Sequence, residues 1–312
     1  MQLRVRSIAY LAGAINGYEL VDPRGRDLPR FTAGAHIDLR LGELLRQYSL
    51  CNDPAERRRY CIAVLREDAG RGGSRYLHDT VRVGDLLEVS MPSNNFRLDG
   101  AAERHLLIAG GIGIAPIMSM VAELRRRGAG FALHYCARSA ARTAFREDLA
   151  PLVAEGRVHF HYDGGDPARG LDIAAALRDP PPGTHLYYCG PAGLMAAVAA
   201  AAKKWPVGTV HREYFTEPPA ASVAEDRPFR VRLTKRGVEY DIPVGETIAG
   251  VLRRHGITVP TSCQLGYCGA CVTRYLEGEP DHRDQVLREF GRERYVLICC
   301  GRSKTPVLHL DL

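Results

Sequence analysis

HLLIAGGIGIAPIMSM, residues 105–120, joins an apolar run to a glycine turn and then to an apolar pattern of helical period. His105–Ala109 has the length and composition of a buried strand, Gly110, Gly111 and Gly113 make the turn, and Ile117, Met118, Val121 and Leu124 fall on one helix face. Strand, glycine turn and helix together form a seat for a pyrophosphate: glycines let the backbone approach, and a helix N-terminus favours negative charge. Pro116 stands where the strict dinucleotide fingerprint has Gly or Ala, yet proline suits the first turn of a helix. Further apolar runs at Phe131–Cys136, Val158–Tyr162, His185–Cys189 and Val210–Phe215 alternate with helical stretches. They predict a doubly wound α/β domain over residues 102–216. Cys189-Gly190-Pro191 leads into a helix from Ala192 to Ala202, so a second loop falls at the carboxyl end of a parallel strand, where open α/β sheets bind ligands.

Upstream, residues 1–101 read as short alternating strands between turns, among them His36–Leu41, Gln47–Cys51, Tyr60–Leu65 and Leu86–Ser90. They predict a small antiparallel β-barrel. Downstream, residues 217–228 (EPPAASVAEDRP) lack apolar periodicity and read as a linker. Residues 229–312 form a third domain: a hairpin from Phe229, a short helix around Thr247 to His255, a cysteine loop and a last strand near Val307 to Leu310.

The cysteine loop carries the most specific chemistry. Cys263-x4-Cys268-x2-Cys271, with Cys299 following, has the spacing of a plant-type [2Fe-2S] site. Gly266, Gly269 and Ala270 allow close backbone approach, so amide N–H groups can donate to sulfur. Zinc is the plainer alternative, but zinc sites usually pair two short knuckles and only one is present here. Val296–Cys300 reads as a strand, which sends Cys299 and Cys300 to opposite faces and leaves one of them, Cys299, as ligand.

Composition sets the class. The chain has 312 residues, 46% hydrophobic and 25% charged, which is ordinary for two or three globular domains. The 42 Lys+Arg against 36 Asp+Glu give +6, dispersed rather than striped, so nucleic acid is not the expected partner. No apolar run is long enough to span a membrane, and the N-terminal MQLRVRSIAY lacks a signal-peptide core, so a cytoplasmic location is expected. Nine cysteines, four scattered and five concentrated toward the end, suit a metal centre better than a disulfide scaffold.

A nicotinamide gives two electrons together, whereas an iron–sulfur cluster accepts one at a time, so both modules in one chain call for a flavin between them. The barrel offers Arg46-Gln47-Tyr48-Ser49, which combines a phosphate partner, an aromatic cover and a hydroxyl, and Gly72-Gly73-Ser74, whose backbone donors suit a phosphate. An FAD reductase serving another monooxygenase or a ferredoxin, and a redox-sensing cluster protein, are the alternatives.

The order of barrel, GGIGIAP domain, CGP, linker and C-terminal cysteine loop resembles the phthalate dioxygenase reductase family over essentially the whole chain. RQYSLCND, GRGGSRYLHD, AGGIGIAPIMSM, GEPDHRDQVL and the ending VLHLDL carry the likeness. The resemblance implies an NADH reductase with FMN and one [2Fe-2S] cluster in a ferredoxin-like β-grasp domain, feeding the terminal Rieske-type oxygenase or O-demethylase component. It implies that Arg46, Gln47, Tyr48 and Ser49 hold FMN, with Arg46 toward the phosphate and Ser49 at the reactive edge. Gly72, Gly73 and Ser74 take the phosphate, and Phe215 stacks on the flavin ring. Gly111, Gly113 and Pro116 line the dinucleotide path, and Cys189 with Gly190 stands near the nicotinamide. It also selects Cys299 over Cys300 beside Cys263, Cys268 and Cys271. One departure concerns the nucleotide: Ala137–Arg142 lacks the acidic residue that would hold a ribose 2′-OH, and Arg138, Ser139 and Arg142 would suit NADPH.

Overall fold

The computed structural model describes residues 1–215, 226–261, 266, 269–284, 287 and 289–312. The expected linker lies outside the described residues over 217–225, as do Cys263 and Cys268. The chain divides into two compact units, Met1–Phe215 and Thr216–Leu312.

The first unit contains two sheets. One is antiparallel, built from β1 (Gln2–Ala12), β2 (Ile15–Val21), β3 (His36–Leu41), β4 (Leu44–Ser49), β5 (Tyr60–Leu65) and β6 (Leu86–Val89) in the order β4-β3-β6-β1-β2-β5. A bridge between Leu50 and Ile62 joins the two outer strands and closes the barrel. Alternating residues such as Val5, Leu20, Ile37, Leu39, Ile62 and Val64 fill its interior, as period-two patterning requires. Helix α1 (Gly73–Asp79) packs Leu77 against that core.

The other sheet is wholly parallel: β7 (Arg104–Gly110), β8 (Gly130–Ala137), β9 (Val158–Tyr162), β10 (Thr184–Cys189) and β11 (Val210–Glu213), in the order β11-β10-β7-β8-β9. Helices α2 (Ile114–Arg126), α3 (Arg146–Ala154), α4 (Ile173–Leu177) and α5 (Ala192–Ala201) fall between the strands. All six residues of β10 are buried, which explains why its run does not alternate: helices cover both faces of a doubly wound sheet.

One apolar core is shared by barrel and α/β layers. Ala33, Cys51, Ala63 and Phe96 from the barrel side pack with Ile114, Ile117 and Met120 of α2. Gly34 anchors this junction. Its amide donates to Ser119 Oγ at 2.9 Å, and Ser119 Oγ donates in turn to the Pro116 carbonyl at 2.8 Å. Gly34 has φ +86°, and a Cβ there would drive into the Phe96 carbonyl and approach Met120 Cε to 2.9 Å.

In the second unit β12 (Phe229–Leu233) pairs in parallel with β18 (Val307–Leu310) within the order β13 (Val238–Ile242), β12, β18, β14 (Val272–Glu277), β16 (Tyr295–Leu297), and β15 (Pro280–Asp281) pairs separately with β17 (Arg302–Ser303). The flanking strands β13, β14 and β16 run antiparallel to their neighbours. Helix α6 (Ile248–Arg254) starts at Thr247, whose hydroxyl accepts from the Gly250 amide at 3.0 Å. It lays Ile248, Val251 and Leu252 on Phe229, Val231 and Leu308. One sequence expectation fails here. Val296–Cys300 is not a strand to its end: β16 stops at Leu297, and the Leu297 carbonyl accepts from the amides of both Cys300 and Gly301. That tight turn cancels the alternation argument for Cys299 and Cys300.

Gly34→Ala should destabilise the first unit by about 1–3 kcal/mol through overpacking and positive-φ strain. Calorimetry should show that transition lowered while the second unit's transition stays in place.

Candidate active site

The turns after β7 and β10 touch. A Cβ on Gly113 would collide with the Cys189 carbonyl and come within 2.7 Å of the Gly190 nitrogen, so a side chain at 113 would separate the strand ends. Gly113 and Gly190 therefore serve loop-to-loop packing. Gly111, with φ +51° and no atom within 4 Å of its Cβ position, is the glycine that faces open space. Pro116 is buried in the first turn of α2, where its fixed backbone angle shapes that turn. Arg138, Ser139 and Arg142 are exposed just past the carboxyl end of β8.

On the barrel, alternation divides Arg46-Gln47-Tyr48-Ser49 between two faces. Tyr48 pairs with core-facing Ile37, whereas Gln47 and Ser49 pair with Asp38 and His36. Four successive residues on a strand cannot all meet one ring face, so the phosphate, ring-face and ring-edge roles divide between the two sides of β4. Arg46 and Tyr48 lie with α1: a Cβ on Gly73 would stand 2.5 Å from Arg46 Cγ and 3.1 Å from Tyr48 Oη. Arg46 Nη2 donates to the Arg71 carbonyl and Nη1 to the Leu45 carbonyl, but Nε is buried with no partner. A buried donor on a cation, with the Arg71 charge nearby, fits an anionic group such as a flavin phosphate. Ser74 Oγ accepts from the Glu67 amide at 3.1 Å, so its hydroxyl is engaged within the loop.

Ser49 turns the other way and meets a residue that sequence reading missed. Its hydroxyl donates to Glu213 Oε2 at 3.2 Å, and Glu213 is in register with Cys189 on the neighbouring strand. Burial pushes the Glu213 carboxyl up to about 8, with Ser49 opposing, and burial also holds the Cys189 thiol well above its ordinary value. Phe215, two residues on, packs partly buried against the core that contains Cys189. Barrel and nucleotide sheet thus bring Ser49, Cys189, Glu213 and Phe215 to one junction. A lone carboxylate ending the apolar run VHREYF was the available signal for Glu213.

In the second unit Cys271 and Cys299 are 2% and 3% exposed, side by side where β14 and β16 pair. Hydrogen bonding to Cys271 eases ionisation of Cys299, but its hydrogen bond to Cys300 and burial prevail and push the thiol up to about 12. Thiols held this way stay protonated until a metal centre binds the sulfur and displaces the proton to solvent. Gly266, with φ +78°, sits so close that its Cβ would lie 2.6 Å from Cys300 Sγ. The Gly266 amide also hydrogen-bonds toward Cys299, so the backbone at this position approaches a ligand sulfur, as a cluster site requires.

Comparison with known proteins agrees with this architecture. Residues 231–304 match the 2Fe-2S iron-sulfur cluster binding domain, and residues 107–200 match the oxidoreductase NAD-binding domain. The chain is 50% identical to the tert-butanol monooxygenase / tert-amyl alcohol desaturase reductase subunit of Aquincola tertiaricarbonis, covering 100% of this chain and 96% of that one. It is 44% identical to the vanillate O-demethylase oxidoreductase of Pseudomonas sp. (strain HR199 / DSM 7063), covering 100% of both. The solved structure of phthalate dioxygenase reductase, described as a modular structure for electron transfer from pyridine nucleotides to [2Fe-2S], superposes with a TM-score of 0.79 at 42% identity, covering 100% of this chain and 98% of that one. The chain belongs to the phthalate dioxygenase reductase family.

Within that family the chain is an oxidoreductase with an antiparallel barrel, a parallel nucleotide sheet and a [2Fe-2S] domain. Among the described residues no helix is long and apolar enough to cross a membrane.

Two measurements check the site. Cys299→Ser should lose the cluster's visible absorption and its iron, whereas Cys300→Ser should keep both. For Glu213, a folded-state pKa raised above the unfolded value means that the stability linked to the group is whole below the usual carboxylate range and is lost as pH rises toward about 8. The thermal midpoint of Glu213→Gln relative to wild type should therefore climb between about pH 5 and about pH 8 and level off above.

Proposed function

We propose that this chain is the reductase component of a Rieske-type oxygenase or O-demethylase, taking electrons from NADH through FMN and a [2Fe-2S] cluster. The observation that carries the reading is the junction of Ser49 with Glu213 and Cys189, where the barrel's flavin strand meets the carboxyl ends of the nucleotide sheet. The flavin, when bound, accepts a hydride and passes on single electrons, and the cluster carries them one at a time.

The protein's own residues bind and align. Arg46, with Gly72, Gly73 and the Ser74 amide, is assigned to the flavin phosphate, and Tyr48 to covering the ring. Gln47 and Ser49, on the other face of β4, are assigned to the ring edge toward the nucleotide. Gly111 and the loop Cys189-Gly190 receive the dinucleotide, and Gly113 and Pro116 hold that seat in shape. Phe215 occupies the stacking position that the nicotinamide takes over. Glu213, kept protonated near neutrality, offers Ser49 and its surroundings an uncharged hydrogen-bonding neighbour. Cys263, Cys268, Cys271 and Cys299 ligate the irons. No side chain acts as nucleophile or as a general acid or base: catalysis here is alignment.

The acceptor is a protein, the terminal oxygenase, and the cytoplasm is the proposed location, consistent with the free cysteines of the described residues. The relatives' names range from tert-butanol to vanillate, so the likeness speaks for the acceptor's class rather than for its substrate.

Anaerobic titration with NADH should bleach the flavin and raise the EPR signal of a reduced [2Fe-2S] centre, and acid should release FMN. Material that holds zinc in place of iron and sulfide, or that releases FAD, contradicts the reading. Arg46→Ala should weaken flavin binding by about 1.5–3 kcal/mol, read from the flavin dissociation constant.

A further inference from the structure

At the far end of the nucleotide sheet three metal-ligating side chains meet with no part in the redox site. Asp99 lies in the connection that leaves the barrel, His185 near the start of β10, and His211 on β11. Their ligand atoms all lie within 4.8 Å of one another. His185 Nδ1 stands 3.0 Å from His211 Nε2 and 3.9 Å from Asp99 Oδ2. Donors around a tetrahedral cation with bonds of 2.0–2.2 Å are about 3.3–3.5 Å apart, so the observed separations bracket such a sphere.

The surroundings orient Asp99 and His211. Asp99 divides its carboxylate: Oδ1 accepts from the Ala101 amide at 2.8 Å, and Oδ2 faces His185. The Asp99 amide donates to Tyr187 Oη at 2.8 Å, and the Tyr187 ring stacks on His211 with centroids 4.5 Å apart and planes 12° apart. Such outer partners orient imidazole and carboxylate ligands in metal sites. Asp99 is 38% exposed and provides the way in from solvent.

We infer that Asp99, His185 and His211 form a binding site for a divalent transition cation of the zinc class, separate from the iron–sulfur centre. Two imidazoles and one carboxylate suit zinc, nickel or copper, whereas magnesium and calcium prefer all-oxygen shells. In the metal-free protein the two imidazoles share an N–H···N hydrogen bond; on binding, that hydrogen moves to the ring's other nitrogen, so neutral histidines ligate without net proton loss. His185 lies four residues before Cys189 on β10, about 13 Å from the nucleotide loops at the rise of a strand. The cation therefore acts as a clamp, tying the barrel's exit segment to β10 and β11, and takes no part in electron transfer.

The test uses full-length protein loaded with flavin and cluster, dialysed against micromolar zinc. Zinc, iron and flavin are then counted. Wild type should gain one zinc per flavin with iron unchanged, and its first unit should melt at higher temperature with zinc present. Loss of an outer partner alone costs 10–100-fold in metal affinity, so Asp99→Asn and His211→Gln should each weaken zinc binding at least about tenfold. Both should keep NADH-dependent cytochrome c reduction. Asp99→Asn is a near-isosteric change at a partly exposed residue, so it serves even if His211→Gln folds poorly. Zinc absorption spectra of wild type should report two imidazoles with oxygen. Equal zinc affinity in wild type and Asp99→Asn, no zinc in wild type, or a sulfur-dominated sphere overturns the proposal.

Discussion

Hydride transfer tolerates little slack, because the nicotinamide carbon that gives the hydride and the flavin nitrogen that takes it must be held near contact distance in a fixed orientation. In this chain the two supports belong to different sheets, so function depends on the junction between them. Gly34 is its centre: the amide is tied to Ser119 on α2, and the absence of a side chain lets the barrel wall close on Phe96 and Met120. The same helix α2 begins at the glycine turn that carries the nucleotide seat. A shift at Gly34 would therefore move the seat relative to the barrel strand that bears Ser49. The shared apolar core of Ala33, Cys51, Phe96, Ile117 and Met120 makes that junction a packed interior rather than a hinge.

Much of this architecture is legible in the sequence because it follows from period and length. His36–Leu41, Tyr60–Leu65, Val158–Tyr162, Phe229–Leu233 and Val307–Leu310 are strands with the bounds that their alternation suggests. What pattern reading misses is tertiary in origin. Ile298, Cys299 and Cys300 are apolar and follow a strand, yet the Leu297 carbonyl captures two amides and turns the chain, so Cys300 faces Gly266 instead of the opposite side of a sheet. Arg46 and Ser49 look like one cluster in a list of neighbours but lie on opposite faces of β4. Gly113 reads as a ligand-facing glycine, and the fold adds a constraint that no local pattern carries, the carbonyl of a residue 76 positions later. Glu213 became interpretable only when Ser49 was found against it.

The electrostatics of the junction follow from what burial does to acids. Cys189 and Glu213 sit in register on adjacent strands, and desolvation keeps both neutral at physiological pH. Delivery of a hydride adds negative charge to the flavin, and an ionised carboxylate in this low-dielectric pocket would oppose it. A protonated Glu213 removes that opposition while retaining a hydrogen bond with Ser49. Raising the pH through about 8 would replace a neutral partner with a buried anion, which disfavours electron entry, and the stability linked to the protonated group has by then been lost. The same desolvation that makes the carboxyl expensive to ionise thus keeps the nucleotide side of the barrel receptive to negative charge, and the arginine side, with Arg46 and Arg71, supplies the positive potential for the phosphate. The strand β4 separates these two environments by alternation alone, one face toward each.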